Sequence, residues 1–225
     1  MDKLKSIFYG NSEFFNGFIV GSVQTICGHP LDTFKTNIQS GSKLNIYKIY
    51  NGLSYPFLTN SIVNSIMFGS FSYINDKVNN SFISGLLAGV IISPIVSPID
   101  KFKIDRQLNK KGFIYNNIFR GLNITTARES IGTAIYFSSY NYLKENNFFE
   151  GDKNIMMSGG IAGSLSWLLT YPIDVIKTRI QGGIDKNIFR AYNRGQLFKG
   201  LGVCLIRSFF VNGIGFYIYK KIKKN

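Results

Sequence analysis

The chain has 225 residues, of which 45% are hydrophobic, 15% aromatic and 17% charged, and its formal net charge is +14. So much apolar surface beside so few charges excludes a disordered chain; two distant cysteines, Cys27 and Cys204, with a lone histidine, exclude a disulfide scaffold and a zinc module. The positive charge points to nucleic acid or to an anionic membrane surface, and its placement decides between them.

In chain order, residues 1–13 come first, with Lys3 and Lys5 balanced by Asp2 and Glu13, and they lack the basic amphipathic character of a transit peptide. A pattern then occurs three times. Gly17-xxx-Gly21 is followed nine residues later by Pro30, Gly85-xxx-Gly89 by Pro98, and Gly159-xxx-Gly163 by Pro172. Each proline opens a decapeptide: PLDTFKTNIQ, PIDKFKIDRQ and PIDVIKTRIQ. Beyond them stand Tyr50-Asn51-Gly52-Leu53, Phe119-Arg120-Gly121-Leu122 and Phe198-Lys199-Gly200-Leu201. Such concordance defines three tandem repeats, about 12–76, 81–145 and 154–223, inside one domain covering 1–225.

Each repeat reads as two helices. The first carries the small-xxx-small spacing that lets helix backbones approach closely in lipid, and it runs through its proline, which removes a backbone donor and kinks it. The second starts after the Gly step. Six segments, roughly 14–36, 55–74, 82–104, 123–143, 155–178 and 203–221, supply the ~20 apolar residues of a span. A hydropathy window should underrate the first helix of each pair, because Asp and Lys interrupt its end. The loops after the decapeptides carry Lys43, Lys48, Lys110, Lys111, Arg120, Lys186, Arg190, Arg194 and Lys199, whereas the opposite connections are sparse or balanced in charge. That one-sided bias is the membrane pattern. It excludes nucleic acid binding and places the basic loops against anionic headgroups. No hydrolase triad, nucleotide-binding Gly loop or metal cluster is present, so no catalytic residue, cofactor or metal is expected.

These residues resemble the mitochondrial carrier family, in an unusually short member. The resemblance rests on the triplicated Pro-x-Asp-x-x-Lys signature with its following Gln and aromatic-basic-Gly step, and it covers nearly the whole chain. It implies an all-α membrane protein of six transmembrane helices in three two-helix repeats, with three-fold pseudosymmetry. It also implies a monomer in the mitochondrial inner membrane, both termini facing the intermembrane space, exchanging a solute by alternating access around one central site. Cardiolipin and other membrane lipids are the implied partners. Ionisable residues inside spans are costly and mark function. Asp32, Asp100 and Asp174 precede Lys35, Lys103 and Lys177 by three positions, so each Asp can pair with a Lys of the next repeat and close the matrix end. The family assigns Gln39, Gln107 and Gln181 as braces of that gate.

Symmetry places the solute site seven positions after each Gly of the Gly step, at Thr59, Arg128 and Arg207, with Glu129 beside Arg128 and Trp167 five residues before Pro172. Arg128 or Arg207 suits a carboxylate, while Glu129 and the Trp167 face suit an amine or quaternary ammonium. An amino-acid-like or carnitine-like solute follows. The alternative pairing is Arg128 with Glu129 themselves, and two arginines also fit a nucleotide (ATP, ADP or a dNTP) or S-adenosylmethionine. A third alternative is a carrier-shaped interaction protein that no longer transports. Two departures from the family stand out. The intervals from Pro30 to Gly52 and from Pro98 to Gly121 are short, so matrix surface helices should shrink to one or two turns. The acids that follow the aromatic at the end of each even helix are replaced by Ser72, Asn141 and Lys220. The expected consequence is a cytoplasmic end that lacks ion pairs and rests open, held by an intact matrix ring.

Overall fold

The computed structural model describes residues 13–31, 50, 53–107, 117–149, 151–198 and 200–224. Among them there are seven helices and no strand: α1 (13–31), α2 (Ser54–Val78), α3 (Ser81–Gln107), α4 (Leu122–Glu145), α5 (Gly151–Gln181), α6 (Ile188–Asn193) and α7 (Leu201–Lys224). At 1.5 Å per residue the long helices exceed or approach the ~30 Å of a hydrocarbon core. By length and composition, two described helices are apolar enough to cross a membrane: Ser81–Ile104, with mean hydropathy 2.0, and Leu201–Ile222, with 1.6. One opens a helix pair and the other closes one, so interruption by Asp and Lys does not penalise first helices alone. The Asn, Ser and Thr residues strewn through α2 and α4 lower hydropathy just as effectively.

Glycine spacing sets the pairing. A Cβ added at Gly17 would stand 2.9 Å from the Ser65 Cα of α2, and one at Gly85 would stand 2.8 Å from the Ala134 Cα of α4. One at Gly159 would stand 3.0 Å from the Asn212 carbonyl oxygen of α7. Each approach is tied by a hydroxyl donating to a carbonyl on the facing helix: Ser65 to Phe14 at 2.6 Å, Thr133 to Gly85 at 2.6 Å, and Ser164 to Leu205 at 3.3 Å. Consecutive pairs pack through α2 on α3 and α4 on α5. Gln24 of α1 donates to Asn212 of α7 at 3.3 Å, which brings the first and last long helices together.

Pro98 within α3 and Pro172 within α5 lie where expected, and both helices continue beyond them; α3 holds a second proline, Pro94. The aromatic-basic-Gly step has a local cause. Before α4 and α7 the chain makes a turn, Leu122 N–H to Phe119 and Leu201 N–H to Phe198, that ends in glycine at positive φ, +81° at Gly121 and +90° at Gly200. Glycine adopts that conformation without the Cβ clash other residues meet. The third connection contains α6, six residues and fewer than two turns long. Arg179 anchors it by donating to the Ala191 and Gly195 carbonyls at 2.5 and 2.7 Å. Arg194 grips Asp185 at 2.9 and 3.1 Å, and that hydrogen bond pushes the guanidinium above its ordinary range. In the corresponding connections after α1 and α3, residues 32–49, 51–52 and 108–116 lie outside the described residues.

Candidate functional site

One cluster of ionisable side chains joins α3, α4 and α5 well inside the helix bundle. Lys177 of α5, whose side chain is 4% exposed, places Nζ 2.5 Å from the Asp100 Oδ2 of α3 and 3.4 Å from the Glu129 Oε1 of α4. Glu129 also accepts from its neighbour Arg128, whose Nη1 lies 2.7 Å from both carboxylate oxygens. Arg128 reaches Asp174 with Nε at 3.6 Å, and its guanidinium lies over the Trp167 ring at 4.7 Å. Among the described residues, three carboxylates and two cations are thus interlocked. Burying charges costs several kcal/mol each unless partners compensate. Here every member has at least one opposite partner.

The expected site residues divide accordingly. Arg128, Glu129 and Trp167 come together, but Arg128 takes both Glu129 and the Trp167 face for itself. Of the alternatives the residues left open, the mutual Arg128–Glu129 pair is the one this arrangement contains. Asp100, Asp174 and Lys177 join the same cluster. Thr59 spends its hydroxyl on the Tyr55 carbonyl of its own helix, 2.9 Å away. Arg207 lies on α7 with its guanidinium against Gly28 of α1. Lys103 is exposed. Gln181 is fully buried, but its amide donates to the Thr125 hydroxyl at 3.1 Å and to the Ser97 carbonyl at 3.4 Å. It ties α5 to α4 and α3 beside the cluster, and does not hydrogen-bond the Lys177–Asp100 pair. Asp32, Lys35 and Gln39, and the side chain of Gln107, lie outside the described residues.

The opposite end of the bundle, at the C-termini of α2, α4 and α7, is closed by rings. Phe68, Phe137 and Phe216 are 2%, 2% and 1% exposed. Phe68 meets the other two edge-on, with centroids at 5.4 and 5.9 Å. A second ring from each helix covers a Phe of the next in cyclic order. Phe71 of α2 stacks on Phe137 at 3.7 Å, Tyr140 of α4 on Phe216 at 3.5 Å, and Tyr219 of α7 lies against Phe68 at 5.1 Å. The Tyr219 hydroxyl donates to Glu13 at the start of α1, a carboxylate only 2% exposed. Beyond the rings lies a cavity of about 460 Å³, its rim carrying Ser72, Asn75, Asp76, Asn141, Lys144 and Lys220.

This corrects the expectation of an open end. The family's acids are missing, but aromatic packing joins these helices. Asn141, at a position where the family has an acid, donates sideways to Ser81 of α3 at 2.7 Å. The inner Phe layer does carry a sequence signal. Phe68, Phe137 and Phe216 each stand sixteen residues after the Gly of the Gly step, and the outer rings three residues further on. Sequence reasoning also missed a buried polar layer beneath the rings, where the Tyr136 hydroxyl donates to Asn212 at 3.1 Å and Asn212 donates to Ser208. Gln24 completes it from α1.

Comparison with known proteins adds relatives to this geometry. The family profile described as "Mitochondrial carrier protein" matches residues 154–225. Mitochondrial substrate carrier family protein L of Dictyostelium discoideum is 28% identical, with 94% of each chain covered. The mitochondrial arginine transporter BAC2 of Arabidopsis thaliana is 27% identical over 92% of this chain and 89% of its own. The human mitochondrial basic amino acids transporter is 28% identical over 91% of this chain and 87% of its own. All three alignments, of 268, 263 and 263 positions, are longer than this 225-residue chain, so the relatives carry insertions within the matched region.

Proposed function

We propose that this chain, similar over about nine-tenths of its length to mitochondrial carriers and transporters, is a member of the mitochondrial carrier family and exchanges a small cationic amino acid across the mitochondrial inner membrane by alternating access. The single observation that carries the solute class is the buried Glu129 carboxylate of the α3–α4–α5 cluster, held by the cations Arg128 and Lys177. A cationic group of the solute can take the place of one of these partners at Glu129. The names of the arginine and basic amino acids transporters point to the same class. A carnitine-like quaternary ammonium is less well served, because the Trp167 face it would use is covered by Arg128. A phosphate chain would meet three carboxylates.

In this reading the six long helices form three pseudosymmetric pairs spanning the membrane, within the repeats 12–76, 81–145 and 154–223. Thr59, Arg128, Glu129, Trp167 and Arg207 line the central path. Lys177 and Asp100 are one link of a matrix ring whose other members are Asp32, Lys35, Lys103 and Asp174, with Gln39, Gln107 and Gln181 beside it. The aromatic layers close the opposite face. The protein works as a monomer, and exposed Lys186, Arg190 and Arg194 near α6 suit contact with cardiolipin headgroups. Liposomes containing the purified protein and preloaded with arginine or lysine test the reading. External labelled arginine should exchange, and Glu129→Gln should abolish exchange while the protein remains folded. Exchange of nucleotides or S-adenosylmethionine in its place, or of nothing, would overturn it.

A further inference from the structure

The carboxylate that the proposed function offers to the solute is already held by the lysine that fastens α3 to α5. Glu129 Oε1 lies 3.4 Å from Lys177 Nζ, and the same Nζ lies 2.5 Å from Asp100 Oδ2. Helices α3 and α5 approach each other at few points, and this link is one of the contacts that join them. Lys177 is 4% exposed and Glu129 9% exposed, so their charges are weakly screened.

We propose that Lys177 makes exchange conditional on the charge of the solute, a step that rests on the cationic-solute reading above. A guanidinium or ammonium entering at Glu129 takes the carboxylate from Lys177 and sets a like charge beside its Nζ. The first removes one of the two carboxylates that hold Lys177 and the second repels its Nζ, so Lys177 is held less tightly in the cluster and α5 is released from α3 and α4. A neutral solute of the same shape can donate hydrogen bonds to Glu129 but brings no charge, so it leaves Lys177 in place. It binds and does not cross. Recognition and opening are therefore the same electrostatic event, and Lys177 is a specificity determinant although it lies on the gate side of the site. Differential affinity for the two states is the only way a ligand can shift them, and here that difference is one unit of charge at one lysine.

Arginine and citrulline are a near-isosteric pair that differ in this charge, and exchange in proteoliposomes reads the difference directly. Wild-type protein should exchange arginine on the order of 100-fold faster than citrulline, while citrulline still competes for arginine uptake. Lys177→Gln and, independently, Asp100→Asn remove the charge-sensitive fastening. Each should shrink the arginine-to-citrulline ratio by roughly tenfold or more, mainly by raising citrulline exchange. A ratio unchanged in both folded variants, or equal rates in the wild type, overturns the inference while leaving cationic exchange itself standing. Hydrogen–deuterium exchange of the unaltered protein keeps the test open if the variants do not fold. Arginine should deprotect 97–104 and 174–181, citrulline should not, and equal deprotection by both refutes the idea. Absence of any arginine or lysine exchange by the wild type would remove the proposed function, and this inference with it.

Discussion

The two ends of this helix bundle are held by opposite kinds of chemistry. Between α3 and α5 the hold is ionic, a lysine shared by two carboxylates, with an arginine and a third carboxylate one contact away. Between α2, α4 and α7 the hold is six aromatic rings in two layers. Ionic contacts are directional, answer to a solute's charge and weaken with salt. Stacked rings ignore charge and salt, and yield when shape or packing changes. In the proposed reading, the ionic side opens in answer to the charge of the cargo. On the other side only the rearrangement of the helices themselves parts the rings.

The sharpest test is to remove one ring. Phe137 touches Phe68 edge-on and is covered by Phe71, so Phe137→Ala strips both layers at once. The expected loss is about 3 kcal/mol, the lower end for a buried Phe, read as a fall in the thermal unfolding midpoint of the purified protein. Its size should be the same at low and high ionic strength. Asp100→Asn should cost less, about 1–2 kcal/mol, because Asp100 is 30% exposed and Lys177 keeps Glu129. That loss should shrink as salt is added. If the salt dependences are interchanged, the contrast between the ends is wrong.

A finer cut separates ring from hydroxyl. Tyr219 and Tyr140 both stack on an inner Phe, but only Tyr219 is seen to donate to the buried Glu13. Tyr219→Phe should cost about 1.5 kcal/mol, the lower end for a hydrogen bond to a charged acceptor, whereas Tyr140→Phe should fall within ~0.5 kcal/mol of the wild type. Equal effects would mean that the rings alone close this end and that Glu13 is incidental.

How much of this was legible follows from what repetition can and cannot carry. Pro98, Pro172, the glycine pairs and the Gly steps repeat because backbone geometry demands them, and the helix pairs were readable from those residues. Asp100, Asp174 and Lys177 were readable as one class because charges within an apolar stretch are conspicuous. That Arg128 would turn onto Trp167 and Glu129 was not decided by the sequence, since it depends on which rotamer of a long side chain the neighbouring helix leaves room for. The ring layers repeat as strictly as the prolines do, at Phe68, Phe137 and Phe216. Phe is so frequent in this chain that the repetition does not stand out, and the family pattern directs attention to acids at that end. Glu13 occurs once, in a segment whose sequence shows only a balance of charge.

Restoring one missing acid gives the smallest effect and separates ionic from aromatic closure most directly. Ser72 sits on the rim of the outer cavity with Lys144 and Lys220, where Ser72→Asp would add a carboxylate near cations. If ion pairs were the natural means of closing this end, the change should stabilise strongly and slow exchange. With the rings already closing it, the new pair lies at a solvated rim, where such contacts contribute ~0–1 kcal/mol and fade with salt. The expected result is a midpoint shift of about a degree or two and an unchanged exchange rate. A large stabilisation that salt abolishes would show that the aromatic end is held only weakly, and that electrostatics could still take it over.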